Sequence, residues 1–181
     1  LAQKWEPVKF EGRTRYVIRT EGKNHFLTAQ ADKAASGLAV KLERQASPNL
    51  VFSWKWKIDQ IPPGGSDDTK TTFDHTARIF VAFDTFIGPP RTVNYVWGNV
   101  ARAGSTFEHP SSGRARFIVL ESGNAQAGKW LSHTRDLAAD YKRLFGDDDP
   151  PNIVAIGLMT DSDGTQTTVT GCYDDLLLRR K

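Results

Sequence analysis

Between Leu50 and Ile58 the side chains alternate without interruption. Phe52, Trp54, Trp56 and Ile58 fall on one face, and Ser53, Lys55 and Lys57 on the other. A period of two with one apolar and one wet face is the pattern of a half-buried antiparallel strand. On a helix the same residues would be scattered around the cylinder, so this segment must lie in a sheet with one face against a core. The pattern recurs. In Ala77 to Asp84, Ile79, Val81 and Phe83 point one way and Arg78, Phe80, Ala82 and Asp84 the other, while Val93, Tyr95 and Trp97 share a face. Strand-like runs also cover residues 16–20 and 24–28, on either side of the polar turn Glu21-Gly22-Lys23, and residues 38–42, 115–121, 153–159, 167–173 and 176–179. About ten strands at this spacing predict a sandwich or barrel.

One helix interrupts them, predicted over 133–145. Ser132 or Thr134 is placed to cap it, Leu137, Tyr141, Leu144 and Phe145 form an apolar stripe, and Gly146 followed by Pro150-Pro151 ends it. A single helix among alternating strands gives an all-β class: a two-sheet antiparallel β-sandwich, jelly-roll-like, with the helix closing an end or edge. The length suits one domain over residues 1–181.

Charge and composition exclude several classes. The net charge is only +3 and the basic residues are dispersed, apart from Arg179-Arg180-Lys181. A nucleic-acid footprint would be denser, so no nucleic-acid partner is expected. Cys172 is the single cysteine, which excludes a disulfide framework and a cysteine-based metal site. No apolar run approaches bilayer-spanning length, so no transmembrane segment is expected. The chain begins Leu1-Ala2-Gln3 rather than with Met, which permits export after removal of a leader.

Asp161-Ser162-Asp163-Gly164-Thr165 follows the apolar run Ile153 to Met159. Locally it resembles the Asp-x-Asp-x-Thr motif of haloacid-dehalogenase phosphotransferases. Such an enzyme needs a strand-to-helix turn immediately afterwards. Here the next segment, Thr167 to Tyr173, reads as another strand, and that assignment is set aside. Two readings remain: an Asp-Gly turn, or a structural calcium site in which Asp161 and Asp163 are joined by Asp174 and Asp175 as hard oxygen ligands. No other cofactor is expected.

Asp74, His75 and Arg78 form a polar knot entering an apolar strand. Arg78 needs a partner, because an unpaired buried charge is costly. Asp140 and Asp161 are the expected structural partners, and an acidic ligand is the other possibility. Trp54 and Trp56 are expected in the core. Trp97 and Trp130 lie beside loop residues and are candidates for stacking against a sugar ring. Asp74, His75, Arg78, Trp97 and Trp130 are therefore the candidate ligand-binding set. No catalytic triad, P-loop or His-Glu-x-x-His motif is present, and no residue is assigned a catalytic role.

Several segments together carry a family resemblance: Trp54-x-Trp56, Ala77-Arg78-Ile79-Phe80-Val81-x-Phe83, Tyr95-x-Trp97, Arg135-Asp136-x-x-x-Asp140-Tyr141-x-x-x-Phe145-Gly146, Pro150-Pro151, and Ile156-x-Leu158-Met159-Thr160-Asp161-Ser162-Asp163. The chain resembles a bacterial family known as domain of unknown function 3047 over nearly its whole length. The resemblance implies an exported protein, periplasmic or secreted, with a jelly roll of the carbohydrate-binding type. It implies no reaction. Where the family pattern has two adjacent acids before the Ala-Arg strand, this chain has Asp74-His75, which argues against an all-carboxylate metal site there. The expected function is a non-catalytic domain of the bacterial envelope that binds a glycan or other polar ligand. The alternatives are a hydrolase or lyase acting on envelope polysaccharide through Asp, His and Arg in a cleft, and a structural or protein-interaction domain.

Overall fold

The computed structural model describes residues 4–47 and 49–180. Its strands are β1 (Glu6–Glu11), β2 (Arg15–Glu21), β3 (Asn24–Asp32), β4 (Ala35–Arg44), β5 (Leu50–Ile58), β6 (Arg78–Phe83), β7 (Arg91–Gly98), β8 (Thr106–His109), β9 (Ser112–Ser122), β10 (Leu131–Asp136), β11 (Ile153–Asp161) and β12 (Thr168–Arg180). They form a seven-stranded sheet in the order β1-β4-β11-β6-β7-β9-β8 and a five-stranded sheet in the order β10-β5-β12-β3-β2. All neighbours are antiparallel except β7 and β9, which run parallel. This is the expected jelly-roll-like sandwich.

The core lies between the sheets, where the sequence alternation placed it. Phe52, Trp54, Trp56 and Ile58 of β5 meet Ile79, Val81 and Phe83 of β6 and Val93, Tyr95 and Trp97 of β7, all buried. Trp54 and Trp56 are core residues, 1% and 0% exposed. A second apolar cluster, Phe73, Val96, Phe117 and Val119, lies on the opposite face of the seven-stranded sheet. That face is thus only half given to solvent.

The helix α1 spans Leu137–Phe145, shorter than the 133–145 expected. Residues Leu131 to Asp136 pair with β5 from Trp56 to Val51 instead, so Ser132 and Thr134 are strand residues and not caps. Asp136 is the cap, accepting the Ala139 N–H at 3.1 Å. Gly146 ends the helix at φ 75°, its N–H bonded to the Lys142 carbonyl. The two C-terminal strands expected at 167–173 and 176–179 are one strand, β12, with a register shift between Asp174 and Leu177 and Asp175 at φ 51°.

Candidate functional site

The strand that enters the seven-stranded sheet at Arg78 determines the site. Ile79, Val81 and Phe83 face the core, so alternation sends Arg78 and Phe80 to the opposite face. There they line a groove of about 290 Å³ together with Val8, Phe10, Thr92, Asn94, His109, Ser112, Ala115, Phe117 and Met159. Val8 and Phe10 belong to β1 and Ser112 to β9, strands near opposite ends of the sheet order. For both to border one groove the sheet must curl around this face, which makes it concave.

The groove floor is low because small residues pave it. Phe80 is in register with Gly157 of β11, and Gly157 with Ala39 of β4. A Cβ at Gly157 would lie 2.1 Å from Phe80 Cζ and 2.7 Å from the Leu38 carbonyl oxygen. The Phe80 ring therefore rests on bare backbone, a close approach that only glycine permits.

The groove continues into a polar end of about 230 Å³. Phe10, Arg78, His109 and Met159 border both parts, and Lys70, Phe73, Asp74, Asp161, Asp163 and Gly164 line the polar one. Beneath it runs a buried chain of polar groups. Arg78 Nη2 donates to Asp161 Oδ2 at 2.8 Å and to His75 Nδ1 at 3.3 Å. Since a guanidinium only donates, Nδ1 must be the acceptor and Nε2 must carry the imidazole proton. Nε2 then donates to Asp67 Oδ1 at 3.2 Å. Asp67 in turn accepts the backbone N–H groups of Asn99, Val100 and Ala101. Asp161 Oδ1 accepts the His75 N–H at 3.0 Å.

Burial pushes His75 down to about 4, against the pull of Asp67, so the imidazole is neutral at pH 7. For Asp67, burial works upward, but the hydrogen bonds from His75 and the three backbone N–H groups outweigh it and hold the carboxyl well below the usual carboxylate range. Burial pushes Asp161 up to about 7 although Arg78 pulls the other way. Asp163 is also raised, by burial first and then by the Asp74 charge.

Asp161 is 4% exposed and its guanidinium partner is the one expected from sequence. Asp140, the other candidate, is bound instead by Arg135 and by the Tyr95 hydroxyl. Asp74 closes the turn after Asp161 by accepting the N–H groups of Gly164 and Thr165. Asp74, Asp161 and Asp163 can each bring an oxygen within 4.8 Å of the others, so among the described residues this trio is the set that could hold a hard cation. Asp174 and Asp175 do not join it. Asn24 donates to Asp174 and Lys55 pairs with Asp175, both within the five-stranded sheet.

Of the remaining candidates, Trp97 is completely buried and its indole N–H donates to the Gly123 carbonyl, so it offers no face to a ligand. Trp130 is half-buried, edge-on to Phe26 and beneath the Lys57 ammonium, against residues of the five-stranded sheet and away from the groove. Asp74, His75 and Arg78 do come together, with His75 as a buried support that cannot touch a ligand. Phe10, Phe80, Phe117, His109 and Asp67 were not anticipated from sequence. A signal existed for Phe80, which shares its strand face with Arg78.

Besides a depression of about 450 Å³ lined by Lys9, Arg13, Arg15 and Tyr16, two larger depressions lack such a site. One, of about 500 Å³, is an open trough between Ser53, Ser132, Thr134 and the Lys55–Asp175 pair. The other, of about 540 Å³, is a seam of mixed polar and apolar lining along Trp5, Leu42, Arg44, Phe52 and Leu176 to Leu178.

The architecture and the concave groove define a jelly-roll sandwich of the type found in carbohydrate-binding modules. The family described as protein of unknown function, DUF3047, matches residues 3–177, and the chain belongs to it. No curated protein matches the sequence. Among solved structures, the chain is similar to the xyloglucanase domain of a type three effector from Sinorhizobium fredii in complex with cellobiose. That pair is 13% identical at a TM-score of 0.52, covering 98% of this chain and 93% of the other. The family 11 carbohydrate-binding module of a cellulosomal cellulase of Clostridium thermocellum is also 13% identical, at a TM-score of 0.50 and coverage of 100% and 89%. A family 12 xyloglucanase from Bacillus licheniformis is 9% identical at 0.50, with 97% and 100% covered. At these identities the likeness is one of fold.

The buried acid also sets a pH dependence. Asp161 titrates higher in the folded chain than unfolded, so the folded state keeps a proton that the unfolded state has released. This contribution is full below the unfolded pKa and is lost as pH rises to about 7. His75 runs the opposite way, gaining as pH rises from about 4, so the wild-type curve alone mixes the two. In urea unfolding from about pH 4 to about pH 8, the advantage of wild type over Asp161→Asn is expected to shrink up to about pH 7 and then hold level. An advantage that grows with pH would mean that Arg78 keeps Asp161 ionised throughout.

Proposed function

We propose that this protein is a non-catalytic glycan-binding domain of the bacterial envelope, and that the groove on the concave face of the seven-stranded sheet is its binding site. The observation that carries this reading is the groove's composition. Phe10 and Phe80 supply apolar faces suited to sugar rings, buried Phe117 backs the wall beneath them, and Arg78 and Asp163 supply charged hydrogen-bonding groups at one end. Among the described residues no helix is long and apolar enough to cross a membrane.

The glycosidase alternative fits this groove less well. Two carboxyls working on a glycosidic bond stand about 5–9.5 Å apart. Here three carboxyls crowd to within 4.8 Å at one end. Both oxygens of Asp74 already accept backbone N–H groups, and Asp161 is engaged by Arg78 and the His75 N–H.

An array of envelope and plant glycans probed with the purified protein tests the function, and Gly157→Ala tests the place. The new methyl would drive Phe80 off the floor and into the groove. It should cost about 1–3 kcal/mol of stability as an overpacking change and weaken binding of the best array ligand by about tenfold or more. A folded Gly157→Ala protein with unchanged affinity would move the site elsewhere.

A further inference from the structure

Arg78 is a buried cation of the groove wall, 8% exposed, with apolar neighbours on one side and the aspartate trio on the other. Both of its side-chain hydrogen bonds leave from Nη2. Nε is buried without an acceptor, and Nη1 makes no hydrogen bond to any described residue. With Nη2 fixed by its partners and Nε enclosed, Nη1 is the donor left to meet an acceptor in the groove.

The surrounding charges narrow what that acceptor can be. A ligand carboxylate would satisfy Arg78 but would lie against Asp74, Asp161 and Asp163. A ligand ammonium would suit the trio but would lie against Arg78, with Lys70 also on the rim. A neutral group that both accepts and donates meets neither repulsion. The wall next to Arg78 adds a third requirement, since Met159, Phe10, Val8 and Phe80 offer apolar surface.

Resting on the groove reading above, we infer that the ligand carries an acetamido group: the groove recognises an N-acetylated amino sugar. The amide carbonyl accepts from Arg78, the amide N–H donates to the Asp163 carboxylate, and the methyl lies against the apolar wall. The sugar ring meets the phenylalanine faces. A secondary amide with a methyl satisfies all three demands at once. A hydroxyl answers only the polar ones.

Four soluble tetrasaccharides matched in length separate the alternatives by titration calorimetry: β-1,4-linked N-acetylglucosamine, its de-acetylated amine, the glucose oligomer, and a galacturonate oligomer. The acetylated oligomer is expected to bind about tenfold tighter or more than each of the others. Asp163→Ala, a change at a half-buried turn residue, should bring its affinity down to that of the glucose oligomer. Tightest binding of the amine, the glucose or the galacturonate oligomer would overturn the acetamido assignment. If Gly157→Ala still abolished that binding, the groove would stand as the site. Silence from all four oligomers would also overturn the assignment, and the groove reading would fail with it only if the array were blank as well.

Discussion

Replacing Arg78 with alanine is expected to cost up to about 3–5 kcal/mol of folding stability above the pH of about 7 at which Asp161 titrates, because it strands the buried carboxylate without its partner, and less at lower pH, where Asp161 carries a proton. The loss has two further sources. His75 Nδ1 loses its donor, and the Phe73 and Phe117 rings lose the guanidinium that lies 5.9 and 5.4 Å from their centroids. Urea unfolding followed by tryptophan fluorescence measures it. Combining Arg78→Met with Asp161→Asn should recover much of the stability, since removing both members of a buried pair leaves no uncompensated charge. Ligand binding should stay lost in the double variant. A single Arg78→Ala protein of wild-type stability would show that the pair is not a structural element at all, and Arg78 would be there for the ligand alone.

Trp56→Ala is expected to cost a similar amount, about 3–5 kcal/mol, through lost burial and the cavity left behind. The ring is completely buried between the sheets, against Trp54, Trp97 and His133. The mechanism is different, and so is the consequence. Trp56 lies on the core side of β5 while the groove lies on the far face of the other sheet. At a temperature where the variant remains folded, its affinity for the best array ligand should match wild type. A large loss of affinity in folded Trp56→Ala would place the ligand between the sheets.

The sequence was most legible where period-two alternation is strong. β5, β6 and β7 carry large apolar residues at every second position, and their faces are those expected. Legibility failed where one strand face carries no such signal. In β1 only Val8 is even half-buried, so no alternation marks it. In β10 the residues Leu131 to Asp136 mix polar and apolar types, and their serine and threonine hydroxyls imitate helix caps although they pair with β5. Arg78 could be paired with Asp161 from sequence because a buried guanidinium demands a carboxylate. Asp174 and Asp175 could not be separated from Asp161 and Asp163 in the same way. Nearness along the chain does not reveal that β11 and β12 belong to different sheets. The groove was hidden for a similar reason. Its walls come from β1, β6, β7, β8, β9 and β11, and only the curl of the sheet brings Phe10 near Phe117.

The central claim is that the concave face of the seven-stranded sheet holds a glycan, and backbone amide chemical-shift mapping tests it most directly. With the tightest array oligosaccharide titrated into isotopically labelled protein, the expected shifts cluster at Phe10, Arg78, Phe80, His109, Phe117 and Gly157, leaving the amides around Trp130 and Lys57 unmoved. Shifts centred on Trp130, Lys57 and the outer face of the five-stranded sheet would contradict the account and move the binding site to the other side of the sandwich.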